Sequence, residues 1–256
     1  MRGMAGKPII VAHRGLHERH PENSLAAFAA AWRRGLRWCE CDVHLSADGV
    51  PVVIHDELLD RTTLGSGAVA ENSWATLAKL RLLGPGRKPT DQFIPSLDQV
   101  LRAPRGCQMI VETKPLLGER ILPIARKVLA SGGMLQSFHA ADIVLARRKL
   151  GARVDCAILS EKIVRVSGAV ARLHVDYRIL RKRTMQRLAA SGISVGVWTV
   201  NQRREIRKLT RWGVALMFTD RPLLARRIVA RSSDSGRCDP ASIRGPAAPG
   251  SGKSAG

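Results

Sequence analysis

The 256-residue sequence lacks long apolar runs. No run approaches the roughly 18 residues that span a bilayer, and the apolar stretch at residues 8–12 is shorter than the roughly 7–15 residues of a signal h-region. The five cysteines are odd in number and scattered, so they predict no disulfide framework and fit a reducing compartment. We therefore predict a cytoplasmic protein without a transmembrane segment.

Carboxylates and aromatic residues are also scarce. There are 21 Asp and Glu residues against 42 Lys and Arg, a net charge of +21, and only 4% aromatic residues. This charge fits binding to nucleic acid or to an anionic membrane, or attraction of small anionic substrates. The basic residues are spread over predicted helices, which favours solvated helix faces, and the few aromatic residues argue against a stacking platform for single strands. A basic nucleic-acid or membrane-surface binding protein stays the alternative from a different class. We predict no obligate nucleic-acid partner and leave peripheral contact with an anionic membrane open.

Strand and helix patterns alternate through most of the chain. The strands are predicted at residues 9–13, 38–45, 50–55, 107–113, 135–138, 155–159, 172–176, 194–200 and 215–219. Helices are predicted at residues 24–32, 119–131, 140–150, 181–191, 202–212 and 222–231, most of them followed by glycine, a common helix stop. Such alternation indicates parallel βαβ units, and about eight units fit an α/β fold of the (β/α)8 TIM-barrel type.

Two stretches break this alternation. Residues 57–95 show no strand–helix repeat, and loops of this length are usually functional or form a small subdomain. We expect a barrel over residues 7–231 with residues 57–95 as a small inserted cap subdomain after the second barrel-strand region. Residues 232–256 are rich in Ser, Gly, Pro and Ala, which predicts a disordered tail.

Three carboxylates stand on predicted strands near the ends where barrel active sites lie. Glu40 and Asp42 are two residues apart, so their side chains point to one side of a strand, and Glu112 lies at the end of another strand. Three converging oxygen donors suit a hard divalent cation, Mg2+ or Ca2+. The alternative is a polar layer in which the carboxylates only pair with arginines.

Two histidines and two cations stand beside these carboxylates in the predicted fold. His13 and His55 each end a predicted strand and suit an acid/base pair near neutral pH. Arg14 and Lys114 would bring fixed positive charge to the same mouth, where they could bind a phosphate. The sequence has no G-x-x-x-x-G-K-[ST] nucleotide-binding loop. The pattern therefore favours hydrolysis of a phosphate ester over phosphoryl transfer from ATP.

The five other histidines carry weaker signals. His17 and His20 lie in the loop beside the expected mouth and could line it. His44 is expected to point beyond the carboxylates into solvent. His139 and His174 have no supporting group of residues nearby in the sequence.

The segments "AHRG", "PENSLAAF", "ECDVHLSADGVPVVIHD", "LDRTT", "ETK", "SF", "VGVWTVN" and "FTDRP" follow one another from residue 12 to 222. In this order they resemble the signatures of the glycerophosphodiester phosphodiesterase family. The resemblance implies a TIM barrel with a small subdomain inserted after the "HD" motif. It also implies hydrolysis of small anionic glycerophosphodiesters to an alcohol and glycerol 3-phosphate.

The resemblance implies roles for single residues as well. Glu40, Asp42 and Glu112 match the family's metal ligands, and His13 and His55 match its catalytic histidines. Arg14 and Lys114 match residues that contact the phosphate. Asn23 is either a pocket residue or a helix cap, and Trp198 either walls the pocket or fills the barrel interior.

A second activity within the same enzyme class stays open. A phospholipase D that cleaves lysophospholipids would handle a lipid leaving group. Apolar side chains of the insertion would favour this activity if they lined the mouth: Trp74, Leu77, Leu80, Leu82 and Leu83.

Overall fold

The computed structural model describes residues 6–102, 107–164 and 170–232. The strands in this part of the chain are β1 (Ile9–Ala12), β2 (Trp38–Leu45), β3 (Pro51–Val53), β4 (Arg81–Leu83), β5 (Pro89–Phe93), β6 (Gln108–Thr113), β7 (Met134–Ser137), β8 (Cys156–Ser160), β9 (Arg172–Asp176), β10 (Ser194–Trp198) and β11 (Leu216–Thr219). The α-helices are α1 (Leu25–Arg33), α2 (Trp74–Leu77), α3 (Leu97–Arg102), α4 (Ile121–Ala130), α5 (Ala140–Leu150), α6 (Lys182–Ala190), α7 (Arg203–Trp212) and α8 (Pro222–Arg231).

Eight parallel strands close into a barrel in the order β1, β2, β6, β7, β8, β9, β10, β11. Closure follows from β1, which pairs with β2 on one side and with β11 on the other. The predicted (β/α)8 barrel is thereby confirmed. Helices connect the barrel strands, except that the described residues between β8 and β9 contain no helix.

The barrel has two apolar layers because successive strand residues point to opposite faces. Inside the barrel, the core is formed by Val11, Ile110, Met134, Ala157, Leu216 and Phe218. Between the strands and the helices lies a larger core, which includes the buried Cys39 and Cys41. These cysteines face the helices. Glu40 and Asp42 alternate with them along β2, so their side chains face the barrel axis.

The strand predicted at residues 50–55 is present at Pro51–Val53, but it lies outside the ring of eight parallel strands. The strand here is β3, which pairs antiparallel with the end of β2, with Val53 opposite Val43 and Pro51 opposite Leu45. An apolar run predicts an extended segment but does not specify its partner or its direction. The β2–β3 hairpin therefore extends beyond the barrel, and the chain returns along it towards the mouth.

Residues 57–95 form a β4–β5 hairpin, the short helix α2 and two 3-10 turns. They share a separate small core with β3, formed by Val52, Ile54, Leu59, Val69, Leu77, Leu82 and Ile94. Trp74 and Leu80 pack against this core. Leu77, Leu82, Trp74 and Leu80 therefore bury one another and do not line the cavity at the mouth, so they give no support to a lipid leaving group.

The basic residues of α7 and α8 lie on exposed helix faces. An open groove between the two helices is lined by Arg203, Arg207, Arg211, Arg227 and Arg231. This arrangement fits the prediction of solvated helix faces. No helix in the described residues is long and apolar enough to cross a membrane. The tail predicted at residues 232–256 lies outside the described residues except for Ser232.

Candidate active site

Three buried carboxylates converge at the C-terminal end of the barrel. Glu40 and Asp42 point inward from β2, and Glu112 points inward from β6, where it pairs in register with Asp42. One oxygen of each lies within 4.8 Å of the others, and all three side chains are almost fully buried. The structure thus brings together the three predicted metal ligands.

Two cations neutralise part of this charge. Lys114 Nζ lies 2.9 Å from Asp42 Oδ1 and 2.5 Å from Glu112 Oε1. Arg14 Nε lies 3.2 Å from Asp42 Oδ2. Burial alone would raise the pKa of Asp42, but Lys114 and Arg14 hold that pKa far below its usual range. Asp42 is therefore paired with an arginine, as the alternative of a polar layer expects, and with a lysine as well.

The other two carboxylates are not fully compensated. Burial, and then the charge of Asp42, raise the pKa of Glu112 to about 7 and push the pKa of Glu40 well above its usual value. Glu40 Oε2 accepts a hydrogen bond from the Arg14 backbone N–H at 3.1 Å, whereas the buried Oε1 has no hydrogen-bond partner among the described residues. An unpartnered buried carboxylate oxygen is costly. This donor set therefore fits a hard divalent cation.

Asn23 fixes the orientation of Asp42. Its Nδ2 donates to Asp42 Oδ2 at 2.9 Å, and its Oδ1 accepts the Asp42 backbone N–H at 3.3 Å. Its backbone has a positive φ of 55°, which asparagine tolerates better than most residues. The cap of α1 is instead Ser24, whose side chain accepts the Ala27 N–H. Asn23 therefore lies beside the carboxylate cluster and does not cap the helix.

His13 is held by a carboxylate that directly follows the last barrel strand, β11. Its Nδ1 lies 2.7 Å from Asp220 Oδ1, and His17 Nε2 lies 3.3 Å from the same oxygen. Asn201 Nδ2 donates to Asp220 Oδ2 at 2.6 Å. Burial would raise the pKa of Asp220, but hydrogen bonds from His13 and His17 hold it far below its usual range. The carboxylate is thus charged and can orient the His13 ring.

His55 has a matching arrangement. Ile54 N–H donates to the Asp42 carbonyl at 3.0 Å, so the returning hairpin places His55 beside the carboxylate cluster. His55 Nδ1 lies 2.6 Å from Asp56 Oδ1. Arg61 donates to Asp56, and this bond, with the one from His55, lowers the pKa of Asp56 to about 2 despite partial burial. Burial lowers the pKa of His55 itself.

A chain of ion pairs connects Asp56, the partner of His55, to Arg14. Arg61 bridges Asp56 and Glu22, with Nη2 2.8 Å from Glu22 Oε1. Arg14 Nη1 donates to the same Glu22 oxygen at 2.8 Å. Arg61 belongs to the insertion, so this segment is tied to the mouth through charged groups.

The predicted site residues other than Asp42 and Asn23 line a cavity of about 270 Å3. Its walls include His13, Arg14, Glu40, His55, Glu112, Lys114, Gln136, Phe138, Leu159 and Trp198. Trp198 therefore lines the cavity, and its ring meets Phe138 edge-on at 5.6 Å. It also packs against the interior barrel core, so both interpretations of this residue describe part of its position.

Sequence reasoning assigned no role to several residues in this site. Asp220 and Asn201 stand in "FTDRP" and "VGVWTVN", so their motifs were visible but their contact with His13 depends on the closure of β11 onto β1. His44 was expected in solvent, yet its Nε2 donates to the His55 carbonyl at 3.0 Å. His139 likewise donates to the Lys114 carbonyl at 3.1 Å.

A (β/α)8 barrel with buried carboxylates, basic side chains and histidines at its C-terminal mouth has the arrangement of a TIM-barrel enzyme, whose active site lies at that end. Within this class, the family model described as "Glycerophosphoryl diester phosphodiesterase family" matches residues 13–119 and 119–224. The chain belongs to this family, which confirms the resemblance noted in the sequence.

Individual relatives match over most of their length. The chain is 28% identical to the "Glycerophosphodiester phosphodiesterase" of Caldanaerobacter subterraneus, covering 84% of this chain and 95% of that protein. It is 26% identical to the enzyme of the same name from Bacillus subtilis, covering 86% of each chain. A solved Oleispira antarctica phosphodiesterase in complex with its product sn-glycerol-3-phosphate superposes with a TM-score of 0.74 at 26% identity, covering 88% of this chain and 97% of that chain.

Proposed function

We propose that this enzyme hydrolyses glycerophosphodiesters to an alcohol and glycerol 3-phosphate in a metal-dependent reaction. One observation carries the proposal. A single cavity contains the buried Glu40 oxygen without a partner, two cations and two carboxylate-held histidines. Family membership and the product complex of the Oleispira antarctica relative support the substrate class.

Glu40, Asp42 and Glu112 would hold the cation, Mg2+ or Ca2+. When bound, such an ion supplies Lewis-acid stabilisation of negative charge on a phosphoryl oxygen. Arg14 and Lys114 border the same cavity and retain N–H donors that the carboxylates do not use. These donors would bind the phosphodiester and stabilise the charge that develops on it during attack.

His13 and His55 would move the protons. Each ring has Nδ1 occupied by a carboxylate, which leaves Nε2 for the substrate. One Nε2 would accept the proton of the nucleophile, a water or a neighbouring substrate hydroxyl, and the other would protonate the leaving alcohol. Asp220 and Asp56 would fix each ring and stabilise its protonated form.

The test is an assay of glycerol 3-phosphate release from glycerophosphocholine, with EDTA and with added Mg2+ or Ca2+. We expect turnover that chelation abolishes and one of the two ions restores. Glu40→Gln should be inactive with either ion. Wild-type protein that releases no glycerol 3-phosphate from glycerophosphocholine, glycerophosphoethanolamine or a lysophospholipid with either ion would overturn the proposal.

A lysophospholipid substrate is the second candidate. Its support is now the apolar wall of the cavity, formed by Phe138, Leu159, Trp198 and Phe218. Phe138, which follows β7, and Leu116, which follows β6, are also exposed. We also propose that the enzyme is cytoplasmic, because its five cysteines are odd in number and scattered.

A further inference from the structure

His174 is a buried histidine that the proposed mechanism does not use. It points into the barrel from β9, is wholly buried, and lies 5.1 Å from the Phe218 ring. On the neighbouring β10, a Cβ at Gly196 would come within 2.5 Å of the imidazole, so glycine there makes room for the ring. Burial lowers the pKa of His174 to about 3, so the ring is neutral at ordinary pH.

The ring makes one polar contact, with a cavity residue. His174 Nδ1 lies 2.8 Å from Gln136 Oε1, and His174 Nε2 is buried without a hydrogen-bond partner among the described residues. A buried N–H is costlier to leave unpaired than an acceptor lone pair. This difference favours the tautomer in which Nδ1 carries the hydrogen and donates it to Gln136. The amide oxygen of Gln136 is then turned towards His174.

With Oε1 turned towards His174, the amide nitrogen is the polar atom of Gln136 that is left for a group in the cavity. Gln136 borders the cavity, and within the described ranges no protein acceptor contacts its Nε2. On the adjacent strand, Glu112 pairs in register with Gln136. The neutral amide of Gln136 on β7 and the carboxylate of Glu112 on β6 thus stand side by side at one edge of the cavity.

A hydroxyl group fits this pair of neighbours. It can accept a hydrogen bond from the amide while donating one to a carboxylate. An ionised phosphate oxygen only accepts hydrogen bonds, so it could not donate one to the carboxylate. The phosphate also has better partners in Arg14 and Lys114.

We propose that Gln136 donates a hydrogen bond from Nε2 to a glycerol hydroxyl of the substrate and selects for glycerol-containing diesters. His174 is a positioning residue that holds the amide in this orientation. The proposal rests on the proposed function, because it assigns the glycerol part of that substrate to one side of the cavity.

The first experiment compares glycerophosphocholine with bis(4-nitrophenyl) phosphate, a diester without hydroxyl groups. Gln136→Met, of similar shape but without a donor, should lower kcat/KM for glycerophosphocholine by about 10–100-fold and change that for the aryl diester less than 2-fold. Gln108→Met is the control, because Gln108 is exposed near the opposite end of the barrel. Equal losses on both substrates would overturn the role of Gln136.

Inhibition measurements keep the test decisive if the aryl diester is a poor substrate. Gln136→Met should weaken inhibition by sn-glycerol 3-phosphate at least 10-fold and leave inhibition by propyl phosphate unchanged. Gln136→Leu serves as a second variant if the first does not fold. Wild-type protein that releases no glycerol 3-phosphate from glycerophosphocholine, glycerophosphoethanolamine or a lysophospholipid would overturn the proposed function, whereas active variants with unchanged preference would overturn only this inference.

Two substitutions test His174. His174→Asn retains a donor near the place of Nδ1 and should keep at least a third of the preference for the glycerol diester. His174→Leu removes the donor and should lose the preference as Gln136→Met does. If both variants lose activity equally on both substrates, His174 has only a structural role and the positioning assignment is wrong.

Discussion

His13 and Asp220 directly follow β1 and β11, the two strands that close the barrel, and His13 Nδ1 lies 2.7 Å from Asp220 Oδ1. The parallel pairing of β1 with β11 produces this contact across 207 residues of sequence. Asp220 is in turn held by Asn201 through two hydrogen bonds, of its side chain at 2.6 Å and its backbone N–H at 2.9 Å.

Asp220→Asn should lower kcat by about 100-fold or more with little change in KM. The amide can donate to Nδ1, which would leave the hydrogen on Nε2 and remove the charge that stabilises a protonated ring. Steady-state kinetics on glycerophosphocholine checks this result. Asp155→Asn is the control, since Asp155 pairs with Arg172 where β8 and β9 begin, at the end of the barrel away from the site. A variant with wild-type kcat would contradict the orienting role.

The carboxylate cluster predicts that a divalent cation stabilises the fold. Bound ligand raises the free energy of unfolding by mass action, and an ion at this site would relieve repulsion between Glu40, Asp42 and Glu112. Melting curves with EDTA and with Mg2+ or Ca2+ should show a higher Tm with the active ion. Glu40→Gln should abolish this rise and lose activity while folding normally. An equal rise in the variant would place the ion elsewhere.

The two histidines should behave as one unit. His13→Ala and His55→Ala should each lower kcat by roughly 10²–10⁴-fold, the usual size of an acid/base contribution. Because both histidines act in one reaction, the kcat of the double variant should be barely lower than that of the less active single variant. His20→Ala is the control, since His20 borders the outer groove beside the insertion. Fully additive losses would mean independent roles.

The barrel and much of the site were predictable from local sequence patterns. Strand period, helix stops and glycine positions indicated the alternating units, and the spacing of Glu40 and Asp42 indicated that both face one side. The ordered motifs marked the same mouth residues. These signals come from residues close together in the sequence, so they can be read without knowing the fold.

The parts that escaped prediction depend on contacts between distant segments. The direction of β3 is set by its pairing with β2, which an apolar run does not reveal. Gln136 and His174 meet across the barrel interior from β7 and β9, and neither has a sequence neighbour that signals the contact. The insertion's apolar residues could pack on one another or line the mouth, and composition does not distinguish the two.

The insertion's own core leads to a prediction about stability. Leu77 is wholly buried in that core. Leu77→Ala should lower the free energy of unfolding by about 2–4 kcal/mol, the usual cost of such a cavity. The order of kcat/KM among glycerophosphocholine, glycerophosphoethanolamine and a lysophospholipid should not change. Urea unfolding checks the first result, with the exposed Leu64→Ala as control. A changed order would mean that this core shapes the substrate site.

The buried His174 should make the fold sensitive to acid. Its pKa is about 3 in the folded chain, against roughly 6.5 in an unfolded one. Between these values the unfolded chain binds a proton that the folded chain excludes, so the free energy of unfolding falls as pH drops below about 6.5. This histidine alone would contribute about 1.4 kcal/mol per pH unit, or about 2 kcal/mol by pH 5.

His174→Asn removes that titration and retains a polar side chain. Urea unfolding of the variant between pH 7 and pH 5 should therefore show a loss smaller than the wild-type loss by about 2 kcal/mol. His20→Gln, which changes a histidine that is only partly buried beside the outer groove, is measured alongside as the matched histidine replacement. Equal slopes for His174→Asn and the wild-type protein would show that His174 is protonated in the folded chain, and the neutral donor to Gln136 would then be wrong.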